Sequence, residues 1–126
     1  MRKLFLGFLL FLAACSQPAQ KEDADAQAFA QKIQATPNVQ LVDVRTPGEY
    51  AMGHLANAKL MDISTGAFEQ GMGSLDKEKP VLVYCAVGGR SATAADLLVS
   101  AGFKNVINLA GGIVEWQQAG LPVTTE

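Results

Sequence analysis

Histidine and tryptophan each occur once, as His54 and Trp116, and cysteine twice, as Cys15 and Cys85. One histidine and two distant cysteines do not make a metal-ligand cluster, so a structural or catalytic zinc is not expected. The lone His54 sits in a Gly53-His54 turn, where it is expected to bond backbone rather than act as a base. Cation clusters are missing as well. Lys21, Lys32, Lys59, Lys77, Lys79 and Lys104 are scattered along the sequence, which argues against nucleic-acid binding. The N-terminal apolar run, Leu4 to Leu12, is too short to span a bilayer. No internal repeat is evident, and 126 residues suit one small domain.

What is present begins with that N-terminal segment. Arg2 and Lys3 precede the apolar run, the layout of a secretory signal. Leu12-Ala13-Ala14-Cys15 resembles a bacterial lipobox, in which the cysteine is acylated and becomes the mature N-terminus; the alternative is an ordinary signal cleaved near Ala14. On the lipobox reading, residues 1–14 are a signal peptide, Cys15 is the lipidation site, and several fatty chains on it give stable anchoring. Residues 15–24 are then a lipidated N-terminus and flexible tether, and 25–126 the folded domain. The polar stretch Ser16 to Asp23 would reach roughly 14–17 Å. Loss of residues 1–14 removes two bases and no acid, leaving eight bases against twelve acids, a net charge of −4. The expected location is the bacterial cell envelope, facing the periplasm. Ser16, which stands where inner-membrane retention in enteric bacteria is associated with aspartate, points to the outer membrane. Cys85 then remains as an unpaired thiol in an exported protein, where thiols are usually oxidised, and an odd cysteine there is a candidate reactive group.

The remaining sequence alternates helical and strand patterns. Phe29 and Ile33, with Ala26 and Ala30, predict a helix over about 25–34, capped by Asp23 or Asp25 and ended by Thr36-Pro37-Asn38. Val39 to Val44 predicts a strand with Asp43 at its carboxyl end. Pro47 starts a short turn across which Arg45 and Glu49 are expected to pair, and all three charged residues are assigned structural roles. Lys59 to Asp62 predicts an edge strand, 65–72 a short helix, Val81 to Tyr84 a buried strand, 91–101 a helix, Val106 to Leu109 a strand and 113–119 a last helix with Trp116 as a core plug. Gly102 followed by Phe103 predicts a Schellman stop. This alternation implies a parallel sheet of four confident strands covered by helices on both faces.

The stretch Val81-Leu-Val-Tyr-Cys85-Ala86-Val87-Gly88-Gly89-Arg90-Ser91 carries the chemistry. A strand, a glycine-bearing loop and a helix place Cys85 at the carboxyl edge of the sheet, facing the free N–H groups of a helix N-terminus. A thiolate there gains from the helix dipole and from a nearby cation, here Arg90, so its pKa should fall. Gly88 and Gly89 let the backbone curl into an anion-binding nest. The bland alternative is a packing cysteine, which needs neither the glycines nor the arginine.

The loop sequence CAVGGRS also resembles the active-site loop of rhodanese-type sulfurtransferases. Asp43-Val44-Arg45, Glu49-Tyr50 and Gly53-His54-Leu55-Ala56-Asn57-Ala58 resemble that family's upstream motifs. Ala101-Gly102-Phe103 and Gly111-Gly112-Ile113 with Trp116 resemble its downstream ones. The resemblance runs from about Asp25 to Pro122. It implies an α/β rhodanese-like fold, usually of five strands, although a first strand is not evident here. It implies that Cys85 takes the outer sulfur of a donor such as thiosulfate, holds it as a persulfide and gives it to cyanide or a thiol. Ala86 to Ser91 form the binding loop, and no metal or organic cofactor is needed. Many thiosulfate-using relatives carry a basic residue where this chain has Ala86 and Val87, so Arg90 is the only loop cation, either supplying charge or bracing the backbone. Two rivals stand beside this reading. Cysteine phosphatases or arsenate reductases of related fold have five residues between cysteine and arginine, where this chain has four. Non-catalytic rhodanese-like binding modules usually lose the cysteine.

Overall fold

The computed structural model describes residues 18–126; residues 1–14 and Cys15 lie outside the described residues. Five strands alternate with five helices: β1 Gln20–Ala24, α1 Ala26–Ala35, β2 Gln40–Asp43, α2 Pro47–Ala51, β3 Lys59–Leu60, α3 Ala67–Met72, β4 Val81–Tyr84, α4 Gly89–Ser100, β5 Asn105–Leu109 and α5 Gly112–Gln118. The sheet is parallel throughout, in the order β1-β5-β4-β2-β3.

Strand alternation sorts the core into two layers. Leu82 and Tyr84 of β4 face the layer of Phe29, Ala30, Ile113 and Trp116, where Phe29 and Trp116 meet edge to face. Val81, Val83 and Cys85 face the other layer, with Phe68, Ala94 and Leu98. Helices α1 and α5 therefore cover one face, and α3 and α4 the other. Both faces of β4 are dry, which is why it reads as an unbroken apolar run.

Residues 20–24 of the expected tether are instead part of the fold. Gln20 to Ala24 form edge strand β1, paired in register with Asn105 to Leu109. Only Ala24 of the five is buried, so no apolar alternation marks the strand. Its backbone bonds to β5 hold it, helped by Lys21–Asp96 and Lys32–Glu22 ion pairs. The fifth strand missing from the sequence reading is this one.

Helix ends follow local chemistry. Asp25, not Asp23, caps α1, its carboxylate accepting from Ala28 N–H. Thr46 and Glu49 form a reciprocal capping box on α2, with Pro47 in its first turn. Gly102, at φ +94°, ends α4, and Phe103 N–H donates to the Leu98 carbonyl as the Schellman motif requires.

The connections locate a crevice. From β2 the chain leads outward to β3, whereas from β4 it leads the opposite way to β5. Loops leaving adjacent strands in opposite directions part at the strands' carboxyl ends, where parallel α/β folds bind ligands. Asp43 ends β2 and Cys85 follows β4, so both stand at this switch point.

Candidate active site

Cys85 is 1% exposed. Its Sγ accepts from Gly88 N–H at 3.1 Å and lies 3.3 Å from Ser91 Oγ. The Ser91 hydroxyl has one hydrogen and two acceptors in reach, the other being the Gly88 carbonyl at 3.2 Å. Ionisation of Cys85 draws that hydrogen to the sulfur, because a bond to a charged acceptor is about twice as strong as a neutral one. Burial pushes the Cys85 thiol up. The Ser91 hydroxyl and the amides of Ser91, Gly88 and Val87 outweigh it, and the net shift is downward.

Two glycines make the cradle sterically possible. Gly88 caps α4 at φ +104°, and a Cβ there would run into the Ala110 carbonyl. Gly112 sits at φ +64°, and a Cβ there would strike the Ala86 carbonyl. The loop is thereby pressed onto the start of α5, where Ile113 N–H donates to the Cys85 carbonyl at 2.9 Å and Val114 N–H to that of Ala86 at 3.1 Å. Gly111-Gly112-Ile113 is one of the downstream motifs of the family resemblance, and the amides that follow Gly112 fasten the loop. Helix α4 begins at Gly89, two residues before the expected start at Ser91.

Arg90 has a partner that the sequence does not announce. Its guanidinium forms a two-pronged pair with Glu49 of α2, Nη1 to Oε1 at 2.8 Å and Nη2 to Oε2 at 2.9 Å. It neither braces the loop backbone nor bonds the sulfur. The side chain on Sγ is that of the neighbouring Ser91. Glu49, bonded by Arg90 and by the Thr46 backbone and hydroxyl, has its pKa lowered to about 2 despite partial burial.

The expected Arg45–Glu49 pair is likewise replaced. Arg45 turns inward to Asp43, Nε and Nη2 reaching its two oxygens at 3.0 and 2.7 Å, and Nη2 also donates to the Gly53 carbonyl at 2.7 Å. Both residues are buried, and the guanidinium lies 5.6 Å from the Tyr84 ring centroid. Tyr84 Oη accepts from Leu55 N–H. This network supports the crevice floor from behind and touches no sulfur. The two ring nitrogens of His54 lie 2.9 and 2.8 Å from the backbone oxygens of Tyr50 and Glu126, in keeping with the backbone role the turn implies.

A family model for the rhodanese-like domain matches residues 25–119. A protein named sulfurtransferase from Allochromatium vinosum is 35% identical over 101 residues, 80% of this chain and 92% of that one. A thiosulfate sulfurtransferase, GlpE, of Coxiella burnetii is 40% identical over 80 residues, 64% and 73% of the two chains. Among solved structures, a rhodanese-related protein of Thermoplasma volcanium superposes with a TM-score of 0.71 at 31% identity, over 83% of this chain and 99% of the other. The polysulfide-sulfur transferase homodimer of Wolinella succinogenes gives 0.69 at 34% identity, over 82% and 78%. Fold, loop and relatives agree: this chain belongs to the rhodanese-like domain family.

Proposed function

We propose that this protein is a sulfurtransferase that carries sulfane sulfur on Cys85, and that a lipid on Cys15 holds it to the cell envelope, facing the periplasm from the outer membrane. The observation that carries the catalytic reading is the sulfur cradle: a buried thiol whose sulfur receives the Gly88 amide and the Ser91 hydroxyl at the N-terminus of a twelve-residue helix. Such donors favour the thiolate, and they are already placed when charge arrives.

Two displacements at one nucleophile follow. In the first, the Cys85 thiolate attacks the outer sulfur of the donor. A new S–S bond forms, the donor's own bond to that sulfur breaks, and the leaving group departs with the electron pair; with thiosulfate it is sulfite. Cys85 becomes a persulfide anion. In the second, cyanide or a thiolate attacks the terminal sulfur, and Cys85 leaves as thiolate. With cyanide the product is thiocyanate. Burial of Cys85 supports sulfur as the group transferred, because a protruding sulfur atom enters a narrow opening more readily than a tetrahedral phosphate does. The commitment of Arg90 to Glu49 also argues against phosphate chemistry, since it masks the cation that would hold the oxyanion.

Intact-mass measurement tests the chemistry. Donor adds one sulfur atom to the protein, cyanide removes it, and Cys85→Ser takes none; absence of the added mass with every donor refutes the proposal. Cell fractionation tests the anchor. Cys15→Ala leaves the membrane fraction or remains unprocessed, and identical partitioning of wild type and variant, without fatty-acid labelling of either, refutes it.

A further inference from the structure

The one cation of the sulfur-cradle loop is paired with a single acidic residue. Arg90 is the only cation in the loop, and both its terminal nitrogens are bonded to the two carboxylate oxygens of Glu49. Glu49 is held as the anion down to about pH 2. At any working pH the two charges cancel at close range. Of the four large exposed apolar side chains among the described residues, three lie on the loop or on the two helices bonded to it. Val87 stands in the loop itself, 68% exposed; Met52, 86% exposed, closes α2, three residues after Glu49; Val114, also exposed, lies in the first turn of α5 and its N–H holds the Ala86 carbonyl. Scattered exposed apolar residues need no explanation, but these sit on the three segments that frame one thiol.

We propose that Glu49 is a specificity-determining residue: by masking Arg90 it directs the site away from small dianionic sulfur donors and toward organic sulfane-sulfur donors, monoanions with an apolar body. This rests on the sulfurtransferase reading and names its donor class. Benzenethiosulfonate represents the class and thiosulfate its opposite. With benzenethiosulfonate, the Cys85 thiolate bonds the outer sulfur, the bond from that sulfur to the sulfonyl sulfur breaks, and benzenesulfinate leaves with the electron pair. Two negative charges enter and two leave, one on the Cys85 persulfide and one on the sulfinate. The ring lies against Val87 and its apolar neighbours, and the lost charge is one that the masked Arg90 does not reward.

Glu49→Gln tests this, because glutamine keeps the capping box of α2 while removing the charge. Thiocyanate formation with cyanide is measured for both donors, giving kcat/KM in wild type and variant. The two donors differ in intrinsic reactivity, and that difference cancels when the thiosulfate-to-benzenethiosulfonate ratio is compared between proteins. The ratio is expected to rise about tenfold in Glu49→Gln, carried by a lower KM for thiosulfate. That is the size expected for one additional charge facing an unmasked guanidinium in a medium between protein surface and water. Val87→Lys, on a side chain that faces solvent, is expected to raise the same ratio without touching the ion pair, and it carries the test if circular dichroism shows Glu49→Gln unfolded. An unchanged or lowered ratio in the folded variant overturns the proposal and leaves Glu49 a structural partner. Failure of both donors to place sulfur on Cys85 overturns the sulfurtransferase reading itself, and the two failures are thereby distinct.

Discussion

Ser91→Ala removes the one side chain that, among the described residues, bonds the Cys85 sulfur, and its effect is predictable in sign and size. The hydroxyl is fully buried, 3.3 Å from Sγ, and alanine suits a first helical turn. A hydrogen bond to a charged group is worth about 1.5–3 kcal/mol, so its loss shifts the thiol–thiolate balance toward thiol by roughly 10- to 150-fold. The thiolate that remains is more basic and hence more nucleophilic. With a Brønsted slope of about 0.4–0.5, that returns roughly 3- to 10-fold. Alkylation by iodoacetamide across a pH series should therefore show a crossing. Well below both midpoints Ser91→Ala reacts roughly 4- to 15-fold more slowly than wild type; above both it reacts faster, by roughly 3- to 10-fold. The two proteins share the same shielding of Cys85, so restricted access cancels in the comparison. Profiles that superimpose would mean that the hydroxyl spends its hydrogen on the Gly88 carbonyl in both ionisation states, and the cradle would lose its principal side-chain donor.

Other perturbations separate support from chemistry. Arg45→Met leaves the buried Asp43 carboxylate without its two-pronged partner and should cost about 3–5 kcal/mol in chemical denaturation. Gly88→Ala puts a Cβ into the Ala110 carbonyl at a positive φ; a loss of at least about 2 kcal/mol is expected, together with loss of sulfur loading. Glu49 has a depressed pKa, so its contribution to stability is fully present above pH 4.5 and lost as pH falls toward about 2. Discounted for its partial exposure that contribution is about 1 kcal/mol, and Glu49→Gln should flatten the denaturation-midpoint profile across this acid window.

Local signals were the legible ones. The strand from Val81 to Tyr84, the glycine loop and the helix behind it are contiguous, and an apolar run meeting two glycines leaves few ways to fold. The Schellman stop at Gly102 and the cap at Asp25 are local for the same reason. Strand β1 was not legible, because an outer strand of sequence Gln-Lys-Glu-Asp-Ala buries one side chain and owes its conformation to backbone bonds with residues more than eighty positions away. Charge partners were misassigned for a related reason. Arg45 and Glu49 are neighbours in sequence, yet a buried carboxylate two residues before Arg45 claims it, and Arg90, 41 positions beyond Glu49, claims the other. Choosing between Arg90 and Ser91 as the group on the sulfur turns on helical phase. Successive residues diverge by about 100° around a helix, so one of the pair faces Sγ and the other faces α2.

The central claim is that Cys85 bears the transferred sulfur. The most direct measurement is the intact mass of the purified protein and of its Cys85→Ser variant, each after benzenethiosulfonate or thiosulfate and again after cyanide. The account predicts one added sulfur atom in the wild-type protein, removed by cyanide with one equivalent of thiocyanate released, and no addition in the variant. Sulfur that still loads on Cys85→Ser, or a wild-type mass unchanged by both donors, would contradict it.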